Sequence, residues 1–455
     1  MKRKAALLAI VVALATMLSG CSFAGLDAGA GLDAGALMHA PKPTGANEAD
    51  IQNLLDKTAG GDYTLKYPAA GDNRSAILEH PVGAADSDAA VAFYQKDDEP
   101  TVINVVFMQK TEGEWKIVGS FRNQASEVER VCFGDLDGDG RDETIVGWGN
   151  SLNNNSTIFV YYYQNGRMNE LKLNQNYSEM EVMDFVGDGR CEIFTACVTV
   201  GAQPAVARLI RVTDGNIEVL GTAPLDSGVT RYASVKTGLL DENQNGVVLD
   251  GIKASNTMET EVIYWDKKQK MLVAPFYDII TKTAKSTTRN TSVVSRDVNN
   301  DKIIEIPFVT LMPGYTTSTT DGADFMTTWH RYDTENNTFV RVMSMVINET
   351  DGYSFSIPDM WRGKVTTKLD PSTRSFSFYK WNAAGNGTGG TIGNELLRIR
   401  AFSKKEWSSI GEKSGYFSLY STGSLVYAAR NIQPDDELSL TKAEVEEAFQ
   451  PIWQD

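Results

Sequence analysis

Three aspartates alternate with other residues between two apolar segments near position 140. The run is Asp135-Leu-Asp137-Gly-Asp139-Gly-Arg141-Asp-Glu143, and the strand-like Thr-Ile-Val-Gly-Trp follows it. A hard cation such as Ca²⁺ takes about six to eight oxygen ligands at ~2.3–2.6 Å. The alternation can turn the three aspartate carboxylates towards one point, and the Arg141 carbonyl and the Glu143 carboxylate can complete the shell. The sequence therefore predicts a Ca²⁺ site in this loop.

This loop differs from an EF-hand loop, which needs a bidentate glutamate at its twelfth position. That position is Val146, and the residues around it form a strand pattern rather than a helix pattern. We therefore expect a cation loop between two β-strands. The alternative is a tight turn of Asp and Gly residues without an ion. Three clustered aspartates without a cation would repel one another, which favours metal binding.

Related loops recur downstream at intervals of about 50 residues, a spacing that is typical of stacked or circular repeats. The second loop has Val186 where an acidic ligand is expected, and the third has Leu249. The fourth loop has Lys302 in place of glycine but keeps its oxygen ligands, so it is predicted as a weaker metal site. Its ligands would be Asp297, Asn299, Asp301 and Glu305. For each of these loops the alternative is a turn that has lost its ion.

Hairpin patterns precede or follow each acidic loop, with Asn165-Gly166 and Asp214-Gly215 as turn signals. Each unit then contains about four strands, which is the content of a propeller blade. Residues 62–343 resemble the FG-GAP and VCBS repeats of integrin-like β-propellers in the Asp-x-Asp-x-Asp-Gly-x-x-acid loop and its flanking strands. The resemblance implies a mainly β fold with β-propeller-like repeats, five of them visible and five to seven blades possible. It also implies structural calcium ions.

The repeat region has a predicted element on each side. Residues 46–61 read as a packing helix, because Ile51, Leu54 and Leu55 share one face. Residues 344–455 are predicted to form a small α+β domain. Its opening Phe-x-Ile-Pro-x-x-Trp361 is similar to domains of uncharacterised Gram-positive lipoproteins, which implies no activity. A Gly-rich stretch at 385–390 precedes a strand pattern rather than a helix, so no nucleotide site is expected there.

The start of the chain carries an export signal. A basic Met1–Lys4 segment is followed by an apolar run that is too short to span a membrane. The run ends in Leu-Ser-Gly-Cys21, which resembles the lipobox of bacterial lipoproteins. The resemblance implies a signal peptide at 1–20, lipid attachment at Cys21 and a location on the extracytoplasmic face of the cell membrane. The low-complexity residues 21–45 would be a flexible tether. An ordinary secretory signal is the alternative.

Composition restricts the functional classes. The formal net charge is −16, and such an acidic surface repels nucleic acid and anionic lipid headgroups. Three cysteines besides Cys21 do not make a disulfide framework. The chain has three histidines, and no two of them have metal-ligand spacing, so a catalytic site based on histidine is not expected.

These features predict a membrane-anchored, non-enzymatic binding or scaffold module with structural calcium loops and no catalytic residues. Its partner would be an unknown envelope protein or glycan. The alternative is a cell-surface glycan hydrolase or lyase that uses carboxylates on a propeller face, since glycosidases need only two well-placed acids.

Overall fold

The computed structural model describes residues 46–82, 88–149, 156–213, 215–316, 325–385, 389–410 and 414–452. The predicted signal peptide, the tether and Cys21 lie outside these residues. The described part consists mainly of antiparallel β-sheets, which confirms the mainly β fold. No helix within these ranges has the length and apolar character needed to cross a membrane.

Helix α1 (Ala46–Ala59) packs against the first sheet. Ile51 and Leu55 are fully buried on one face of the helix. The backbone N–H of Gly60 donates to the Asp56 carbonyl, and Gly60 adopts a positive φ of 66°, which ends the helix in a conformation that suits glycine. The first sheet contains the strands β1 (Tyr63–Leu65), β2 (Ile77–Glu79), β3 (Ala89–Lys96), β4 (Val102–Thr111) and β5 (Glu114–Gln124).

Three four-stranded meanders follow along the chain, each pairing strands in sequence order. The second sheet contains β6 (Glu127–Gly134), β7 (Glu143–Gly149), β8 (Ser156–Gln164) and β9 (Arg167–Tyr177). The third contains β10 (Glu179–Met183), β11 (Glu192–Cys197), β12 (Val206–Thr213) and β13 (Asn216–Pro224). The fourth contains β14 (Val229–Leu239), β15 (Asn245–Lys253), β16 (Met258–Asp266) and β17 (Met271–Val273).

A small hairpin separates the fourth sheet from the fifth. Its strands are β18 (Tyr277–Asp278) and β19 (Thr283–Ala284). The fifth sheet begins with β20 (Ile306–Leu311), β21 (Phe325–Asp333), β22 (Thr338–Asn348) and β23 (Tyr353–Ser356). Strand β22 therefore runs through the boundary that the sequence suggested at 343/344.

The sixth sheet contains β24 (Val365–Asp370), β25 (Ser375–Ala383), β26 (Gly390–Ser403), β27 (Phe417–Ser421) and β28 (Leu425–Asn431). Helix α2 (Lys404–Ile410) follows β26, and α3 (Lys442–Ala448) follows the sheet. A Thr441–Glu444 capping box starts α3. The last strand, β29 (Phe449–Pro451), returns to the fifth sheet and pairs with β23.

Each sheet packs against the next through a separate apolar cluster. Strand β7 shows how one strand serves two clusters. Val146 and Trp148 face the first sheet, whereas Ile145 faces the third. This follows from the period of two along a strand, and it explains why β7 is buried on both faces.

Candidate metal centre

The first acidic loop connects β6 to β7. Its backbone is folded around the Asp135 carboxylate, which accepts hydrogen bonds from the N–H groups of Gly138 at 2.6 Å and Gly140 at 2.8 Å. Both glycines have a φ of 83°, a conformation that residues with a Cβ rarely adopt. The glycines therefore allow the chain to wrap around one carboxylate.

Asp135, Asp137 and Glu143 form the acidic cluster of this loop. Each contributes a carboxylate oxygen, and these oxygens all lie within 4.8 Å of one another. The predicted ligand Asp139 is directed elsewhere, because its carboxylate accepts a hydrogen bond of 2.9 Å from Nε of Arg141. This hydrogen bond holds the pKa of Asp139 below its usual value. Three of the predicted side-chain ligands thus converge, and the fourth forms an ion pair.

Glu143 is the buried member of the cluster, with 5% of its surface exposed. One of its carboxylate oxygens accepts a hydrogen bond of 2.8 Å from the Leu136 N–H. Burial raises the pKa of Glu143 to about 8, and the nearby aspartates add to the rise. A group of closely spaced carboxylate oxygens with this excess of negative charge fits a hard divalent cation such as Ca²⁺.

The second loop, between β10 and β11, has the same backbone arrangement. Asp184 accepts hydrogen bonds from the N–H groups of Gly187 and Gly189, and buried Glu192 accepts one from Phe185. Its charge is balanced by Arg211, whose Nε donates to the Glu192 carboxylate at 3.0 Å. A guanidinium nitrogen of Arg211 also lies 2.9 Å from an Asp188 oxygen.

The register of the strands shows why the second loop has this arginine and the first does not. Ile193 pairs with Ile210, which places Glu192 opposite Arg211. Thr144 pairs with Tyr161, so the residue opposite Glu143 in the first loop is Tyr162. The acidic loop itself gave no signal for Arg211. The hairpin register would have identified it, because the pairing of β11 with β12 determines which residue lies opposite Glu192.

The fourth loop precedes β20 and also folds around its first aspartate. Asp297 accepts hydrogen bonds from the N–H groups of Asn300 at 2.7 Å and Lys302 at 2.8 Å. These two residues adopt φ values of 63° and 72°, where the first loop has glycines. Asp301 accepts a hydrogen bond from the Asn299 amide. Buried Glu305 accepts one from Val298, and burial raises its pKa to about 7.

The third loop is shorter than the sequence pattern implied. Strand β14 ends at Leu239 and β15 already begins at Asn245. Leu249, which aligned with the last acidic ligand, lies inside β15 and is fully buried in the core. The Asp241 carboxylate accepts a hydrogen bond of 2.9 Å from the Thr334 N–H. It therefore joins the fourth sheet to the fifth.

Other, partly buried acids stabilise contacts between sheets. Arg130 on β6 donates hydrogen bonds of 2.7 Å to Glu179 and to Glu181 on β10, and one to the Met180 carbonyl. Burial raises the pKa of Glu181 to about 7, and the charge of Arg130 limits the rise. These carboxylates are engaged by the arginine that connects the second and third sheets.

A cavity of about 970 Å³ lies between the fourth and fifth sheets. Among its carboxylates, Asp241 accepts a hydrogen bond from the Thr334 N–H. Asp266 and Asp333 accept hydrogen bonds from N–H groups within their own turns. Backbone N–H groups lower the pKa of Asp266, and the Asn336 side chain lowers that of Asp333. Asp266 and Asp333 are therefore poor general acids, because their pKa values are lowered.

The three cysteines at 132, 191 and 197 are free thiols. Burial raises the pKa of Cys132 to about 12, so its thiolate is not formed near neutral pH.

No protein-family profile and no curated protein matches the chain. Solved structures with partial similarity include an exotype rhamnogalacturonan lyase, which is 11% identical with a TM-score of 0.30 over 72% of this chain and 73% of the lyase. A Bacillus licheniformis rhamnogalacturonan lyase is 12% identical, with a TM-score of 0.30 over 73% and 76% of the two chains. A Lactobacillus plantarum protein is 9% identical, with a TM-score of 0.31 over 75% and 89%. At TM-scores this low, the likeness carries no argument about activity.

Proposed function

We propose that this chain is a lipid-anchored, extracytoplasmic binding module without enzymatic activity. In this proposal a β-propeller of FG-GAP-like repeats, stabilised by Ca²⁺ in the first acidic loop, presents a rigid surface to an envelope protein or glycan. The observation that carries the proposal is the cluster of Asp135, Asp137 and Glu143. It offers a hard cation a set of oxygens, whereas the related second loop supplies its own cation in Arg211.

The order of the sheets supports the propeller. Antiparallel sheets of four or five strands follow one another along the chain, and each packs against the next. The first strands of the second, third and fourth sheets are neighbours, since β6 contacts β10 and β10 contacts β14. Such contacts are expected where the inner strands of blades surround a common axis.

The engagement of the carboxylates supports binding rather than glycan cleavage. A glycosidase needs one carboxyl that stays protonated and a second that faces it across the substrate. In the cavity between the fourth and fifth sheets, Asp241, Asp266 and Asp333 accept hydrogen bonds from backbone N–H groups. Among the carboxyls with raised pKa values, partly buried Glu181 is bound by Arg130 and buried Glu192 by Arg211.

The anchor rests on the lipobox-like Leu-Ser-Gly-Cys21. Cells expressing the chain would be fed a labelled fatty acid and fractionated. We expect label in the membrane fraction for the wild type and none for Cys21→Ala. An unlabelled wild-type chain would refute the anchor.

The binding function is tested by applying the mature chain to isolated cell-wall glycans and measuring both retention and new reducing ends. We expect retention without new ends. Accumulation of reducing or unsaturated ends would instead establish the enzymatic alternative.

A further inference from the structure

The hairpin of β18 and β19 has a defined shape at its tip. The Asp278 carboxylate accepts hydrogen bonds of 2.9 Å from the N–H groups of Ile280 and Thr281. The Lys282 N–H donates to the Asp278 carbonyl at 2.8 Å, and the Lys282 carbonyl accepts from the Ser227 N–H. The tip is therefore closed by its own backbone and attached to the loop before the fourth sheet.

Two adjacent isoleucines project from this tip into solvent. Ile279 is 82% exposed and Ile280 is 89% exposed. Among the large hydrophobic side chains in the described ranges, the next most exposed is Val200 at 65%. Single exposed apolar residues are common, but a fixed turn that holds two neighbouring isoleucines out of the core marks a contact site.

The charge around the tip differs from that of the whole chain. Asp278 is the acid of this hairpin, and residues 279–296 contain no further aspartate or glutamate in a chain with a net charge of −16. Lys282 and Lys285 are exposed, and Arg289 is buried against Asp250. The tip therefore combines two apolar side chains with two exposed lysines and one aspartate, so its net charge is positive on an otherwise acidic protein.

We propose that this tip is a second membrane contact, in which Ile279 and Ile280 enter the headgroup region of an anionic bilayer and Lys282 and Lys285 face lipid phosphates. An apolar wedge flanked by lysines is the arrangement that interfacial binding requires. The inference rests on the proposed membrane location but does not need the lipid on Cys21. The general repulsion expected from the acidic surface is relieved at this point, and the contact would fix which face of the folded part is turned away from the membrane.

The test uses the mature chain with Cys21→Ala, so that no lipid is attached. Its binding is measured by co-sedimentation with phosphatidylcholine vesicles, with and without phosphatidylglycerol. We expect binding to the anionic vesicles that weakens with salt. Replacing both isoleucines by serine should lower the affinity by roughly tenfold per side chain. Lys282→Gln with Lys285→Gln should lower it by about fivefold per lysine.

Matched controls separate the tip from general surface effects. Val200→Ser removes another exposed apolar side chain, and Lys57→Gln with Lys405→Gln removes two exposed lysines elsewhere. These variants should bind vesicles as the wild type does. The proposal is overturned if the wild type ignores anionic vesicles, or if the serine pair binds them unchanged. Fatty-acid labelling of Cys21 is a separate measurement, so the lipid-anchor proposal and the membrane-contact proposal are tested independently.

If the wild type ignores vesicles but the serine pair loses a cross-link to an envelope protein, the tip is a protein-binding site instead.

Discussion

Arg211 donates hydrogen bonds to the fully buried Glu192 carboxylate from the neighbouring strand. This pair gives the second acidic loop an internal cation. In the first loop the corresponding strand position is Tyr162, and buried Glu143 has a pKa of about 8. Two loops with the same backbone fold thus differ in how their charge is balanced, and this difference predicts different responses to Ca²⁺ and to mutation.

Calcium should raise the melting temperature of the protein, and a chelator should lower it. Extracellular Ca²⁺ modules bind with Kd values of ~10⁻⁴–10⁻³ M. At a concentration tenfold above Kd, the ion would stabilise the fold by about 1.4 kcal/mol, a shift of a few degrees. Differential scanning calorimetry of the mature chain with and without millimolar Ca²⁺ measures the shift. No change at millimolar Ca²⁺ would rule out a structural ion.

Asp137→Ala should remove most of the calcium-dependent shift, because Asp137 belongs to the cluster while Asp135 organises the loop backbone. Asp137→Asn is a matched variant that removes the charge and can still accept the hydrogen bond from the Asp139 N–H. Asp98→Ala, at an exposed position outside the acidic loops, is the control. If Asp137→Ala responds to Ca²⁺ as the wild type does, the first loop is not the main site.

Arg211→Met should destabilise the protein by about 3–5 kcal/mol at neutral pH, because it leaves Glu192 buried without its partner. The unpaired carboxylate would then be protonated more readily in the folded state than in the unfolded state. The loss should therefore shrink as the pH falls towards 5. Urea unfolding at both pH values measures this. Arg208→Met, on the same strand, should cost much less, and an equal cost would contradict the ion-pair explanation.

Glu261 should make stability fall as the pH rises. Burial raises its pKa to about 8 from 4.5, and the charges of Asp226 and Glu259 add to the rise. Between these values the folded state holds a proton that the unfolded state releases, so the contribution is complete below about pH 4.5 and is lost as the pH rises through about 8. The slope from one such group is at most about 1.4 kcal/mol per pH unit.

Glu261→Gln should flatten this slope and stabilise the protein at pH 8. The glutamine oxygen can still accept the hydrogen bond that the Asp226 N–H donates to Glu261. Urea unfolding across a series of pH values would show the flattening. Exposed Glu114→Gln should leave the slope unchanged. An unchanged slope in the Glu261 variant would mean that this carboxyl titrates normally.

Trp361→Phe should destabilise the shared core of the fifth and sixth sheets by about 2–4 kcal/mol. The indole N–H of Trp361 donates to the Leu438 carbonyl at 2.6 Å, and the ring packs against Phe355 and Phe378. Chemical unfolding monitored by circular dichroism measures the loss. Partly buried Trp407→Phe should cost less. A similar cost for both variants would argue against a core that depends on Trp361.

The parts of the fold that depend on neighbouring residues could be predicted from the sequence. Alternating apolar residues predict the strands, and the mainly β class follows from the predicted strands. The backbone of the first loop follows from Asp135 with Gly138 and Gly140, which are close in sequence. In the third loop the pattern was misleading, because the apolar run at 247–249 extends β15 and places Leu249 in the core.

The remaining features depend on contacts between distant segments. Arg211 lies 19 residues from Glu192 and becomes its partner only through the register of β11 and β12. The pairing of β29 with β23 joins residues about a hundred positions apart, and no local pattern specifies it.

That pairing changes how the last part of the chain should be regarded. Residues 357–448, with the whole sixth sheet, are inserted between two adjacent strands of the fifth sheet, since β23 is followed in space by β29. The two ends of the inserted segment are adjacent in the fifth sheet, because β23 pairs with β29. Removing everything after β23 would strip an edge strand from the fifth sheet, whereas excising or exchanging only the insert would preserve that edge. The sixth sheet is thus an insertion whose two ends are held together by one strand pair, and the apolar cluster that it shares with the fifth sheet fixes its position.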